Sequence, residues 1–296
     1  MHLFITGATG LIGQHLCPFL THHHTVTVLT RNINKAEVLL GHKVTAVDAM
    51  SRVDFNNIDV VINLAGEPIV NKRWTDKQKH IIRDSRINIT TAITKAINAC
   101  ETPPHTFISG SAVGFYGRQG NIPIDESNNV PHDEFSHQLC KDWEQAAIAA
   151  ESTDTRVCLL RTGIVLAKKG GALSKMLPAF KLGLGGPIGS GDQGMSWIHI
   201  DDITQLILFI INRSNISGPI NATAPNPVSN HVFAKSLAAA LSRPALLPMP
   251  AMVLQLLMGE MADLLLTGQY VLPTKLLEHN YRFHYPNIDA ALHSLL

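Results

Sequence analysis

An excess of charge of one sign is missing from this chain. Across 296 residues 24 Lys+Arg stand against 23 Asp+Glu, giving a formal net charge of +1 with only 16% of residues charged. So weak a field draws a protein neither onto nucleic acid nor onto an anionic membrane surface. Cysteine is scarce as well. Cys17, Cys100, Cys140 and Cys158 are widely spaced and form no C-x-x-C, which argues against a zinc knuckle or a disulfide framework and makes a reducing cytoplasm the expected location. Long apolar runs are lacking too. The longest uncharged one covers residues 206–211, far short of a membrane span, and Met1 leads directly into a strand-like run without the basic segment or cleavage site of a secretory leader. No membrane partner is therefore expected. Neither an internal repeat nor a low-complexity tail is visible. What is present is 45% apolar sequence, sufficient for a sizeable core in one large domain or two ordinary ones.

Short apolar runs at residues 2–5, 25–29, 43–47, 59–62, 105–108 and 155–160 alternate with helical stretches. This alternation predicts an α/β fold with a doubly wound parallel sheet covered on both faces. A helix is expected at 11–21, and the clearest one spans 75–100, where Ile82, Ile89, Ile93 and Ile97 recur at helical spacing until Pro103 and Pro104 forbid continuation. Another amphipathic stretch covers 133–151. Beyond Arg161, glycines crowd residues 170–194, including GLGGPIGSGDQG, so that segment cannot be one regular element. Residues 197–200 and 220–222 read as strands, and 201–212 as a helix with Asp201 and Asp202 at its cap. Pro225 and Pro227 mark a hinge or linker, and the chain turns helical from 248. The run His22, His23, His24 reads as a solvated turn, since no clustered Cys or carboxylate accompanies it; no metal is expected.

The strongest chemical signal is TGATGLIG, residues 6–13, between the first strand and the first helix. Gly7 permits the tight turn, Gly10 lets backbone approach a pyrophosphate, and Gly13 lets the helix pack close to the sheet. Thr9, Leu11 and Ile12 complete the expected dinucleotide contact, and the absence of a following G-K-[ST] excludes an NTPase loop. The second strand ends at Thr30, Arg31 and Asn32, where an NAD enzyme usually carries an acid for the ribose hydroxyl. A cation there favours the 2′-phosphate of NADP(H). Its alternative is a solvated arginine after a strand. Asp48 is either an adenine-side contact or a turn former.

TGATGLIG, NLAGE (residues 63–67) and SGSAVGFYG (residues 109–117) together resemble the extended short-chain dehydrogenase/reductases. NLAGEPI, SRINITT, CKDWE, RTGIVL, GGPIGSGDQGMSWIHIDD and the tail GEMADLLLTGQYVLPTKLLEHNYRFHYP resemble more narrowly its epimerase-like branch, whose members carry a short C-terminal domain of unknown function. The likeness runs over nearly the whole chain. It implies an NADP-binding Rossmann domain at residues 1–165, with 196–222 returning to it. A smaller, mostly helical substrate lobe is implied at 166–195 and 223–296. Leu64, Ala65, Gly66, Glu67, Arg86 and Ser109 are implied near the cofactor, with Arg161, Thr162, Gly163 and Val165 where the family's backbone meets the nicotinamide amide. Arg86 is read as a carboxylate or phosphate ligand, or equally as half of an internal ion pair. Gly185, Gly186, Gln193, Trp197 and His199 fall in the segment resembling a substrate loop. The epimerase label itself rests on analogy.

The superfamily's chemistry uses a Ser or Thr to hold the substrate oxygen and a Tyr-x-x-x-Lys pair as acid and base. Ser111 matches the serine, but the Tyr-x-x-x-Lys is missing from EFSHQLCKDWE. Aligning Glu144 with the glutamate that often trails the lysine puts Ser136 and Cys140 in the two places. A shift by one gives His137 and Lys141, a pair whose histidine titrates near neutrality. Tyr116 is the other proton donor to weigh, with a packed structural aromatic as its alternative. Two functions follow. One is an NADP(H)-dependent oxidoreductase or nucleotide-sugar epimerase-like enzyme acting by hydride transfer on a small polar, sugar-like substrate. The other is an NADP(H)-binding sensor or interaction protein with little catalysis. Oligomeric state is left open.

Overall fold

The computed structural model describes residues 1–128, 130–245 and 247–296. Six strands, β1 (His2–Thr6), β2 (Thr25–Leu29), β3 (Thr45–Val47), β4 (Val60–Asn63), β5 (Thr106–Ala112) and β6 (Arg156–Thr162), come from the first 162 residues. Helices α1 (Leu11–Leu20), α2 (Ile33–Leu40), α3 (Asp76–Asn98) and α4 (Phe135–Ile148) lie between them. Then follow β7 (Ile164–Leu166), α5 (Gly171–Lys181), β8 (Gly194–Met195), β9 (Trp197–His199), α6 (Ile200–Ile211), β10 (Gly218–Ala222) and β11 (Val228–Ser229). Helices α7 (Asn230–Ala240), α8 (Ala251–Met258), α9 (Asp263–Leu266), α10 (Thr274–Glu278) and α11 (Ile288–Leu295) complete the chain.

Seven strands form one sheet in the order β10-β6-β5-β4-β1-β2-β3, with every pairing parallel. This is the doubly wound Rossmann order, whose switch point lies between β1 and β4. Side chains alternate across each strand, and both faces are apolar. On one face Leu3, Ile5, Val28, Ile62 and Leu160 join α1, α6, α7 and α11 in a single cluster. On the other, Phe4, Val61, Phe107 and Leu159 pack on Ile93 and Ile97 of α3 and Ala147 of α4. Residues of α7 and α11, such as Phe233, Leu237 and Leu292, share the first cluster with β1, so the C-terminal segment packs into the sheet's own core. Pro225 and Pro227 therefore do not begin a loose tail; β11, just after them, pairs antiparallel with β8.

Several boundaries differ from those read in the sequence, each for a local reason. The third strand is shorter, Thr45–Val47, because Lys43 lies in the preceding turn. Inside the glycine-rich region, α5 forms once Gly170 and Gly171 have taken positive φ (83° and 67°). Asp201 and Asp202 do not cap α6. His199 is the cap residue, its Nδ1 accepting from the Asp201 backbone N–H at 3.0 Å. Asp202 is buried instead, accepting the N–H groups of His284 (2.7 Å) and Tyr285 (3.0 Å), and so ties the C-terminal segment to α6. The histidine run lies in the turn between α1 and β2. Among the described residues no helix is long and apolar enough to cross a membrane, and no three His, Cys, Asp or Glu side chains converge as a metal site.

Candidate active site

The glycine-rich turn is shaped by two contacts and one gap. Gly7 has φ of 72°, and a Cβ there would lie 2.4 Å from the Leu64 carbonyl carbon. At Gly13 a Cβ would sit 2.5 Å from the Ala8 backbone, so this glycine sets how closely α1 approaches. Gly10 is different. A Cβ on it would meet only the Gly7 carbonyl, at 3.1 Å, so the space above it is open. Gly10 is also the cap of α1 and offers no side chain to the first-turn N–H groups around Leu11 and Ile12. An uncapped helix N-terminus beside open space suits an anion such as a pyrophosphate. Thr9 contributes its carbonyl to Gln14 Nε2 at 2.6 Å, which braces the turn. At the end of β2, Arg31 is exposed with no ion-pair partner among the described residues, while Thr30 Oγ1 accepts from the Asn32 N–H at 3.2 Å and Asn32 caps α2. Asp48 pairs with Arg52 at 3.2 Å on the surface, as a turn residue does.

At the carboxyl ends of β5 and β6 lies a cavity of about 300 Å³. Ala112, Val113 and Gly114 border it after β5, and Thr162, Gly163 and Ile164 after β6. Ser136, Leu139, Cys140 and Trp143 of α4 form the facing wall, with Arg86 of α3 beside them. The register with Ser136 and Cys140 thus turns to the cavity. Its competitor does not: Lys141 is exposed away from the cavity, and His137 Nδ1 lies 2.5 Å from the Phe115 carbonyl with its ring against Phe115. Neither lines the cavity. The physical reason is helical periodicity, since one residue rotates the pair by about 100° around α4.

Ser136 Oγ donates to Glu134 Oε1 at 2.5 Å, and Glu134 Oε2 accepts from Arg118 Nε at 3.2 Å. Burial pushes the Cys140 thiol up to about 12, aided by the Glu144 charge and opposed by hydrogen bonds and by Arg86. A thiol so raised is a poor acid and a poor nucleophile at neutral pH.

Ser111, Tyr116 and Arg161 belong to one buried hydrogen-bonded cluster. Ser111 Oγ donates to Glu144 Oε1 at 2.7 Å, behind the cavity wall and not among its lining residues. Glu144 also accepts Arg161 Nε and Nη2, both at 2.8 Å, in a pair whose side chains are each only 5% exposed. Arg161 Nη1 reaches the Tyr116 hydroxyl at 3.0 Å, that hydroxyl donates to Asn221 Oδ1 at 2.8 Å, and the guanidinium stacks on Phe115 at 3.5 Å. Burial opposes the arginine's charge, but the hydrogen bonds and charge of Glu144 more than offset it and raise its pKa. Burial likewise pushes the Tyr116 hydroxyl up. Arg161 is thus a core cation, and Tyr116 is the packed structural aromatic that the sequence offers as its alternative. The reason is the same for both: a buried charge or hydroxyl must find its partners inside. Ser109 is also fully buried, paired with Asn63 across the sheet.

Of the remaining residues, Leu64 and Ala65 back Gly7, Glu67 donates its N–H to Ser85 Oγ at 2.9 Å, and Gly163 packs on the Ser196 carbonyl, where a Cβ would lie 2.5 Å away. Val165 is half-buried in β7, beside the cavity-lining Ile164. Gly66 packs against Arg86 so tightly that a Cβ would stand 2.9 Å from Cζ. Sequence reasoning missed the buried chain that fixes this wall. Thr90 Oγ1 accepts from Asn63 Nδ2 (2.8 Å) and Trp143 Nε1 (3.0 Å) and donates to the Arg86 carbonyl (2.8 Å). NLAGE and CKDWE each contain one member and SRINITT two, but nothing in their spacing joins the three motifs.

A Rossmann sheet, an open glycine-rich turn and a cavity at the strand ends define an extended short-chain dehydrogenase/reductase fold. Residues 3–222 match the NAD dependent epimerase/dehydratase family, to which the chain belongs, and residues 249–295 match DUF1731, a domain of unknown function. The chain is 39% identical over 304 residues to "Epimerase family protein SDR39U1 homolog, chloroplastic" of Arabidopsis thaliana, covering 100% of this chain and 87% of that one. It is 37% identical to "Epimerase family protein YfhF" of Bacillus subtilis, covering 100% and 98%. Among solved structures it is similar to the human epimerase family protein SDR39U1, which was crystallised with NADPH: TM-score 0.91, 33% identity, covering 100% of this chain and 99% of that one.

Proposed function

We propose that this protein is an NADP(H)-dependent oxidoreductase that acts by hydride transfer on a small-molecule carbonyl or alcohol in the cavity at the strand ends. The observation that carries this reading is the open cradle at Gly10, on the same sheet edge as that cavity. The NADPH-bound human relative supports the choice of cofactor. Gly7, Gly10 and Gly13 hold the pyrophosphate at the start of α1, Arg31 meets the 2′-phosphate, and Thr162 and Gly163 border the nicotinamide. When bound, NADPH supplies a hydride to a carbonyl carbon, whose oxygen then needs a proton. Ser136 turns its hydroxyl from Glu134 to hold that oxygen, and water entering beside Glu134, whose side chain is 20% exposed, supplies the proton and leaves as hydroxide. The four free thiols support a reducing compartment, and we place the protein in the cytoplasm.

The test is Arg31→Asp, with NADPH and NADH each titrated by fluorescence on both proteins. A charge-assisted contact of this kind is worth about 1.5 to 3 kcal/mol, or roughly one to two decades in Kd, and salt weakens it. NADPH affinity falls by that factor and NADH affinity does not. An unchanged ratio removes Arg31 from the cofactor site.

The sensor reading retains support from one observation. Ser111, where the superfamily holds its substrate, gives its hydroxyl to Glu144. Tight NADPH binding without NADPH consumption on any member of a carbonyl panel would favour that reading.

A further inference from the structure

The cavity is walled chiefly by apolar side chains, among them Ile69, Leu139, Trp143, Met176, Ile188 and Leu265. Most polar groups on its walls are already used. Glu134 and Ser136 bond to each other, Asn230 Oδ1 accepts the Ile188 N–H at 2.7 Å, Ser196 Oγ donates to the Gln269 carbonyl at 2.8 Å, and Thr267 Oγ1 donates to the Asp263 carbonyl at 2.7 Å. Three groups are not. Gln193 donates through Nε2 to the Ile188 and Leu265 carbonyls, which leaves its buried Oε1 without a partner. Gln269 donates through Nε2 to the Gly117 carbonyl, which leaves its Oε1 free among the described residues. Arg86 donates through Nη1 to the Ile82 carbonyl at 3.0 Å, while its Nε and Nη2 have no acceptor among the described residues.

Arg86 is held in place from several sides. Its guanidinium lies 5.2 Å from the Trp143 ring, and Gly66 packs against it. Burial lowers its pKa, with Cys140 and Glu67 nearby acting in the opposite direction, yet no carboxylate lies within ion-pairing distance among the described residues. Arg86 is half-buried at the cavity wall, and a partly desolvated cation without a counter-ion favours a ligand that supplies one. Nε and Nη2 lie on one edge of the guanidinium and match the two oxygens of a carboxylate, and the apolar walls around them suit a singly charged group on an otherwise apolar molecule.

We propose that the substrate is an apolar carbonyl compound bearing one carboxylate, with the carboxylate held by Arg86 and the rest of the molecule against the apolar walls. The inference rests on the oxidoreductase reading and departs from the sugar-like substrate that the family resemblance implied. A nucleotide sugar presents many hydroxyls, and two free amide oxygens, on Gln193 and Gln269, cannot satisfy them.

The test is equilibrium binding to the full chain, with and without saturating NADP⁺, by calorimetry. The probes are 2-naphthoate, the neutral ketone 2-acetylnaphthalene and UDP-glucose. Naphthoate binds at least tenfold more tightly than either other probe. Arg86→Met lowers naphthoate affinity at least tenfold, leaves the ketone within twofold and leaves NADP⁺ within threefold; Arg86→Lys recovers part of the loss. Tighter binding of UDP-glucose would overturn the substrate class. A loss of NADP⁺ affinity equal to the loss for naphthoate would assign Arg86 to the cofactor and overturn the proposal. Failure of the wild type to bind NADP⁺, with naphthoate binding intact, would instead sink the oxidoreductase reading, so the two failures are distinguishable.

Discussion

Removing Glu144 tests whether the residues behind the cavity form a structural ion pair and not a catalytic group. Its carboxylate accepts three hydrogen bonds: Ser111 Oγ at 2.7 Å, and Arg161 Nε and Nη2 at 2.8 Å. Both partners of the ion pair are 5% exposed, so solvent cannot replace what is lost. In Glu144→Leu, Arg161 would keep only the Tyr116 hydroxyl and the Phe115 face. Breaking a buried pair by removing one partner costs about 3 to 5 kcal/mol, most of it the uncompensated charge left behind. For a chain of this size that corresponds to a Tm lower by roughly 6 to 15 °C. Urea unfolding followed by tryptophan fluorescence measures the loss directly, provided the transition is two-state. Arg161→Leu in the same background removes the orphan cation and recovers at least half of the stability, because an apolar replacement of a buried pair is often close to neutral. Should Glu144→Leu lose less than about 1 kcal/mol, the pair would resemble an exposed one and this account of the wall would fail.

Four further outcomes follow from the same geometry. Ser111→Ala removes one buried, charge-assisted hydrogen bond and lowers stability by about 1.5 to 3 kcal/mol, while NADPH affinity by titration stays within twofold; a fall in turnover at unchanged stability would return Ser111 to the chemistry. Gly7→Ala fails to fold or loses several kcal/mol, since its φ of 72° and a 2.4 Å clash with Leu64 both oppose a side chain. Gly10→Ala, by contrast, folds with near-native Tm and loses NADPH affinity, as calorimetry of the two variants would reveal; equal NADPH binding in Gly10→Ala and wild type would rule out the pyrophosphate cradle. With burial pushing the Cys140 thiol up to about 12, it stays protonated at pH 8. Iodoacetamide with peptide mapping therefore labels the half-buried Cys100 first, and rapid labelling of Cys140 would reveal a reactive nucleophile in the cavity.

The sequence by itself determined the sheet and the turn. Apolar runs spaced by helices gave β1 to β6, because strands covered on both faces need continuous apolar residues and short-range periodicity records that need. TGATGLIG located the dinucleotide turn for the same kind of reason: Gly7 and Gly13 are required by contacts with backbone close by in sequence or in the neighbouring strand. Other features depend on residues far apart in the chain, and only the tertiary structure decided them. Which register of α4 faces the cavity turned on a rotation that Ser136, His137, Cys140 and Lys141 do not reveal as letters. Ser111 and Arg161 matched family positions, yet Glu144, 33 residues from the first and 17 from the second, claimed both side chains. The sequence leaves Arg86 open between an ion pair and a ligand contact; it is the fold that brings it beside Trp143 and Gly66 with no acid within ion-pairing distance among the described residues. Local pattern encodes which face of a strand or helix is buried, but the partner of a buried polar group is set by the packing of distant segments.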